Sequence, residues 1–211
     1  MNVLALDSAG PRPSVALLAG ERFAEATLPS DRRASGALLP AIRGVLDACA
    51  LRLEDVTRIA VCAGPGSFTG LRVGLATAWG FGRALGIPIE AVSTLEAMAE
   101  AARNELASRV VTALDAGRGE IVCEAFALDG PRARSLAPAK RCAPSHLAEF
   151  SAGDLLVALP AGLVGPDGVA PSQTIAEALA RAVARAPGMG AAQLAAIYSR
   201  PSAAEEKRGA P

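Results

Sequence analysis

The chain opens on apolar runs of strand length. "VLALD" and "SVALLAG" flank a turn carrying Pro11 and Pro13, and "ERFAEATL" follows. That pattern predicts a hairpin with a third strand beside it. In "ASGALLPAIRGVLDACAL" the apolar positions Leu38, Leu39, Ile42, Val45, Leu46 and Cys49 recur at helical spacing. Pro40 suits such a helix in its first turn; deeper in, it removes a hydrogen bond and kinks the helix. "VTRIAVCAG" lacks polar alternation, as expected of a strand covered on both faces. After a glycine-bearing loop come a helix over about Ser67–Leu85, the short strand "IPIEAVS" and the helix "TLEAMAEAARNEL", with Thr94 as its expected N-cap. Strand–helix–strand order predicts a parallel crossover and an α/β class.

The pattern then restarts. "LALDSAGPRPSVALL" and "TALDAGRGEIVCEAF" each run apolar strand, Ala-Leu-Asp, glycine-containing turn, second strand. Asp7 and Asp115 hold equivalent places, which predicts two lobes of related topology. Beyond Asp129, proline-rich stretches lead to one strong helix, "TIAEALARAVARA". "GAAQLAAIYSRPSAAEEKRGAP" reads as a C-terminal helix and a fraying tail.

Composition narrows the class. A length of 211 residues suits one large domain or two small lobes, and 51% hydrophobic with 20% charged residues excludes a disordered chain. Lys+Arg and Asp+Glu balance at 21 each, so bulk charge announces neither a nucleic-acid nor a membrane surface. No apolar run approaches the roughly 20 residues that span a bilayer. "MNVLALDSAG" has no basic region and reads as a first strand, not a signal peptide. Cys49, Cys62, Cys123 and Cys142 form no CxxC pair, and the first three lie in apolar segments. Buried reduced thiols in a cytoplasmic protein are expected.

The loop "AGPGSFTGLRVG", from Ala63 to Gly74, invites a nucleotide reading that its residues do not support. Counted from Gly64 as a P-loop, Thr69 stands at the second glycine's position and no lysine follows. As a dinucleotide fingerprint its third glycine comes one residue late, at Gly70, and Pro65 lacks an amide. Counting by fours from Gly66 gives Gly70, Gly74, Ala78, Gly82 and Gly86, a row without side chains beyond a methyl. Each glycine inside a helix costs about 1 kcal/mol against alanine. Such a row therefore serves close approach of another backbone, either the protein's own sheet or first helix, or a partner helix. Trp79 and Phe81 fall on other faces and read as core, and Ser67 reads as the N-cap.

Other chemistry is sparse. His146 is the lone histidine, no HExxH motif occurs, and no G-x-S-x-G elbow occurs. Asp7 and Asp115 admit two readings: a pair facing a cleft and holding a Mg²⁺–nucleotide through water, or carboxylates each capping its own turn. Arg32 and Arg33, just before the first helix, suit a phosphate, a partner's carboxylates or simple solvation.

"LALDSA", "SGALLPAIRGVLDACAL", "IAVCAGPGSFTGLRVGLATAWGFGRALGIPIEAVSTLEAMA" and "ALDAGRGEIV" together resemble the TsaB (YeaZ) family of tRNA threonylcarbamoyladenosine biosynthesis proteins. "AIYSRPSAAE" looks like a degenerate form of that family's C-terminal motif. The resemblance implies an ASKHA-type α/β fold of two RNase H-like lobes, with mixed sheets flanked by helices. Residues 1–106 with 190–211 would form the N-terminal lobe with a C-terminal helix, and 107–189 a smaller C-terminal lobe. It implies a pseudo-enzyme without catalytic residues, metal or cofactor of its own, binding the catalytic paralogue TsaD and the P-loop ATPase TsaE. That assembly moves a threonylcarbamoyl group to the tRNA adenosine beside the anticodon. In the family the first two helices form the docking surface, for TsaD or for a second copy as a homodimer. Those helices match Ser35–Ala50 and Ser67–Leu85, which puts Leu38, Leu39, Ile42, Leu46, Gly70, Leu71, Gly74 and Ala78 in the expected interface. On this basis Gly74→Leu should block association and leave the monomer folded. Contact with tRNA is expected only through the complex, and none with a membrane. Where the family carries a histidine, this chain has Ala34. The competing expectation is an ASKHA-type phosphotransferase or hydrolase using Asp7 and Asp115 with Mg-ATP.

Overall fold

The structure, a computed structural model, describes residues 1–29, 34–103, 107–147, 149, 154–160, 162–165, 168–188 and 195–198. Its first sheet is built from β1 (Asn2–Asp7), β2 (Ser14–Ala19), β3 (Arg22–Thr27), β4 (Arg58–Cys62) and β5 (Ile89–Val92), in the order β3-β2-β1-β4-β5. The first three strands are antiparallel neighbours, whereas β4 pairs parallel with β1, and β5 with β4. The second sheet runs β11 (Gly168–Val169), β10 (Leu155–Leu159), β6 (Arg109–Gly117), β7 (Glu120–Ala127), β8 (Arg134–Ser135), with β9 (Lys140–Cys142) also pairing β7. Again a hairpin, β6–β7, is antiparallel; β8 and β9 pair antiparallel with β7, while β10 adds parallel to β6 and β11 parallel to β10. The echo around Asp7 and Asp115 is thus an echo of topology, and the fold is the expected pair of RNase H-like mixed sheets flanked by helices.

The strand period of two sorts side chains into separate cores. On β1, Leu4 and Leu6 join Leu17, Ile59 and Val61 beneath two helices, α1 (Ala34–Ala48) and α2 (Phe68–Leu85). Val3 and Ala5 point the other way, with Ala60 and Cys62, toward α3 (Thr94–Ala101) and α4 (Ile175–Arg185). Beyond those two helices lie Val110, Leu114 and Phe126 of the second sheet. Both α3 and α4 therefore sit between the sheets. Although α4 follows the second sheet in sequence, it packs on β1 and β2 of the first. Its first turn is tied there: Ser14 Oγ accepts the Ala176 N–H at 3.2 Å, and the cap Thr174 Oγ1 accepts the Glu177 N–H at 3.1 Å.

Three local expectations change. Ser93, not Thr94, caps α3, its Oγ accepting the Leu95 N–H at 3.2 Å. Thr94 is instead fully buried as the first helical residue. Pro40 lies inside α1, past the first turn. The carbonyl its missing N–H leaves without that donor is that of Gly36, an exposed residue of the helix. Ala195–Tyr198 are not helical, while the rest of the expected C-terminal helix, and Arg32 and Arg33, fall outside the described residues.

A buried ionic network ties α3 to the loop after β7 and the end of α4. Glu100 takes Arg103 bidentately, Nε to Oε2 at 2.7 Å and Nη2 to Oε1 at 2.9 Å, and Arg185 Nη2 at 2.5 Å. The Ala133 N–H donates to Oε1 as well. Arg132 spans Glu90 and Glu96, and Glu90 Oε2 accepts the Gly188 N–H at 3.0 Å.

Candidate protein-docking site

The glycine loop is shaped by close approach within the chain. Ser67 caps α2, with the Gly70 N–H at 3.4 Å from its Oγ, and its own N–H donates to Ala9 O at 2.8 Å. Ser8 Oγ donates to Gly70 O at 2.7 Å. A Cβ on Gly70 would overlap the Ser8 carbonyl, one on Gly74 the Ser8 hydroxyl, and one on Gly82 the Ile89 side chain. From Gly70 to Gly82 the small-residue row thus packs against the turn after β1 and against β5, and that stretch is not open to a partner helix. This overturns the expectation that Gly74→Leu spares the monomer, because leucine there strikes Ser8. Gly70→Ala makes the same point with one methyl: a backbone carbonyl cannot swing aside as a side chain can. The expected cost is about 1–3 kcal/mol of overpacking, read as a lower urea midpoint at unchanged slope.

Asp7 lies fully buried at the end of β1. Its Oδ1 accepts the Ala9 and Gly10 N–H groups at 3.1 and 2.9 Å, while Oδ2 meets no donor among the described residues. Burial pushes its carboxyl up from 3.8 to about 6, against the Gly10 and Ala9 donors. Burial and the neighbouring Asp7 push the Cys62 thiol up as well. Asp115 is exposed and accepts the Gly117 N–H at 2.6 Å. By strand parity Asp7 shares the face of Val3 and Ala5, in the central core, and Asp115 shares the face of Val111 and Ala113, which pack in a separate cluster. The two carboxylates therefore lie on strand faces that pack in different clusters. Each closes its own turn, as the second of the two readings has it. Among the described residues no cluster of three His, Cys, Asp or Glu could hold a metal, and no helix is long and apolar enough to cross a membrane.

Of the residues expected at an interface, Leu38, Ile42, Leu46, Leu71, Gly74 and Ala78 are buried within the chain itself and Gly70 is partly so. Leu39 alone stands out, 57% exposed. The outer face of the helix pair is composed of other residues. On α1, Gly36, Pro40, Gly44 and Ala48 are exposed at intervals of four; on α2, Arg72, Ala76, Gly80 and Ala84 are exposed at the same interval. Leu39 and Trp79 rise from these shallow rows as large apolar side chains, and Trp79, read as core from sequence, is 42% exposed. The guanidinium of Arg72 lies 3.9 Å from the centroid of the Phe68 ring, and that of Arg83 5.8 Å from Trp79. The same spacing of four, started at Gly36 and Arg72, was available in the sequence. Nothing there distinguished the outward rows from the inward one.

A family model described as "TsaD: tRNA N6-adenosine threonylcarbamoyltransferase" matches residues 28–160, more than half of the chain. The tRNA threonylcarbamoyladenosine biosynthesis protein TsaB of Escherichia coli is 36% identical over 122 residues, covering 57% of this chain and 53% of that protein. TsaB of Bacillus subtilis is 34% identical over the same shares. The match spans about half the length of these curated relatives. The solved structure of YeaZ from Pseudomonas aeruginosa superposes with a TM-score of 0.78 at 30% identity, over 93% of this chain and 99% of that one. On sequence and fold together, the chain belongs to the TsaB (YeaZ) family.

Proposed function

We propose that this protein is a non-catalytic subunit in tRNA threonylcarbamoyladenosine biosynthesis, acting in the cytoplasm. It docks a TsaD-like catalytic paralogue, and a TsaE-like ATPase joins the assembly. The N-terminal lobe, 1–106 with 190–211, supplies the docking helices, and 107–189 forms the smaller lobe behind them. The observation that carries this reading is the outer face of α1 and α2. Shallow rows of glycine and alanine let another helix pair approach closely, while Leu39 and Trp79 supply the knobs for its grooves. Exposed large apolar side chains on a small-residue face mark an interaction site. The expected interface is thereby relocated to residues that remain accessible in the monomer. Arg43, Arg72 and Arg83 are exposed on this face against Asp47. That imbalance favours a partner with carboxylates over a second copy, so the homodimer is the weaker use of the same surface. Balanced overall charge supports contact with tRNA only through the complex.

The test is the double variant Leu39→Glu/Trp79→Glu. Both side chains are exposed, so the melting temperature should hold within a degree or two. Affinity for the TsaD-like paralogue of the same organism should fall about a hundredfold by calorimetry, the scale of a lost aromatic anchor. Undiminished binding would remove α1 and α2 from the interface.

A further inference from the structure

Ala195–Tyr198 crosses the glycine loop in a defined way. The Ile197 N–H donates to Ala63 O at 2.6 Å. Gly64 holds φ +111, a conformation L side chains rarely adopt, and a Cβ there would overlap the Ile197 carbonyl. The Tyr198 ring then stacks on Phe68, centroids 5.2 Å apart and tilted 34°. Phe68 is therefore held between Tyr198 and the Arg72 guanidinium. Yet Ile197 and Tyr198 remain 46% and 44% exposed, so the docked segment still presents apolar surface at the first turn of α2. Phe68, Arg72, Ala76 and Trp79 follow one stripe of that helix, at spacings of four, four and three.

We infer that the Ala195–Tyr198 segment is part of the partner-binding face, so that its docking on the glycine loop and the binding of a partner stabilise one another. This rests on the proposed docking through α1 and α2. The occupant is a helical face bearing carboxylates: it meets Arg72 with an acid and covers Phe68 and Tyr198 with apolar side chains, in keeping with the excess of arginine on this surface. Coupling of this kind is reciprocal: whatever the docked segment adds to partner affinity, the partner adds to docking. Tyr198, rigid and amphipathic, is the anchor expected to carry most of the effect.

Three measurements with the TsaD-like paralogue as probe test it. Tyr198→Ala should weaken binding at least tenfold. Gly64→Ala, which expels the Ile197 carbonyl, should do the same. In the wild-type chain, hydrogen exchange at the Ile197 amide should slow on adding the paralogue, and this needs no variant to fold. Wild-type affinity in Tyr198→Ala, or exchange at Ile197 unchanged by the partner, would overturn the inference while leaving docking through α1 and α2 intact. A wild-type chain that does not bind the paralogue at all would overturn the docking proposal and this inference with it.

Discussion

Glu100→Ala is expected to lower stability by about 3 kcal/mol, the lower end of the range for breaking a buried ion pair by removing one partner. Glu100 is 4% exposed and is held by Arg103, Arg185 and the Ala133 N–H. Burial alone would raise its carboxyl. The Arg103 hydrogen bonds, the Ala133 N–H and the charges of Arg103 and Arg185 outweigh that, so its carboxyl sits below its ordinary value. Removing it leaves the Ala133 amide without an acceptor and two guanidinium groups without their anion. The arginine side chains are 20% and 38% exposed, so water recovers part of their solvation, which is why the lower end applies. In a chain of this size the loss corresponds to a fall in melting temperature of about 6–12 °C. Because Glu100 is depressed, its stabilisation is present at neutral pH and is lost as pH falls through its folded value. The wild-type advantage over Glu100→Ala should accordingly shrink in acid.

Asp7→Asn should have the opposite pH dependence. A carboxyl moved from 3.8 unfolded to about 6 folded is penalised, when charged, on the order of 3 kcal/mol. The folded state binds the proton more tightly, so the contribution of Asp7 to stability is greatest below about pH 4 and falls as pH rises through about 6. Asparagine carries no charge and keeps an oxygen for the Ala9 and Gly10 N–H groups, though its amide finds no better partner than Oδ2 had. Asp7→Asn should therefore be more stable than wild type at pH 7.5 and should lose that advantage at pH 4. Urea unfolding at the two values measures it. Equal stability differences at both would mean that Asp7 titrates normally and is not sealed.

Much of this architecture could be read from the chain because hydrophobic period and turn residues report local structure directly. The two Ala-Leu-Asp strands, the covered strand Arg58–Cys62 and the cap at Ser67 are such cases. Tertiary choices were less visible. Two rows spaced by four residues run along α2, one through Gly70 and Gly74 and one through Ala76 and Gly80, and sequence does not say which meets the sheet. The inward row is selected by the turn after β1, where the Ser8 carbonyl and hydroxyl press on Gly70 and Gly74. Trp79 read as core because large apolar residues usually are. Asp7 and Asp115 admitted a paired reading because they are equivalent in sequence, yet the second sheet turns the opposite strand face to the centre. Ile197 lies too far along the chain from Gly64 for any local pattern to join them.

The most direct test of the proposed role is tRNA threonylcarbamoylation by the paralogue and the P-loop ATPase, reconstituted with variants of this chain. A docking subunit predicts full activity with Asp7→Asn/Asp115→Asn and activity near the level without this chain for Leu39→Glu/Trp79→Glu. Loss of activity in the aspartate variant, with its binding to the paralogue intact, would contradict a non-catalytic role.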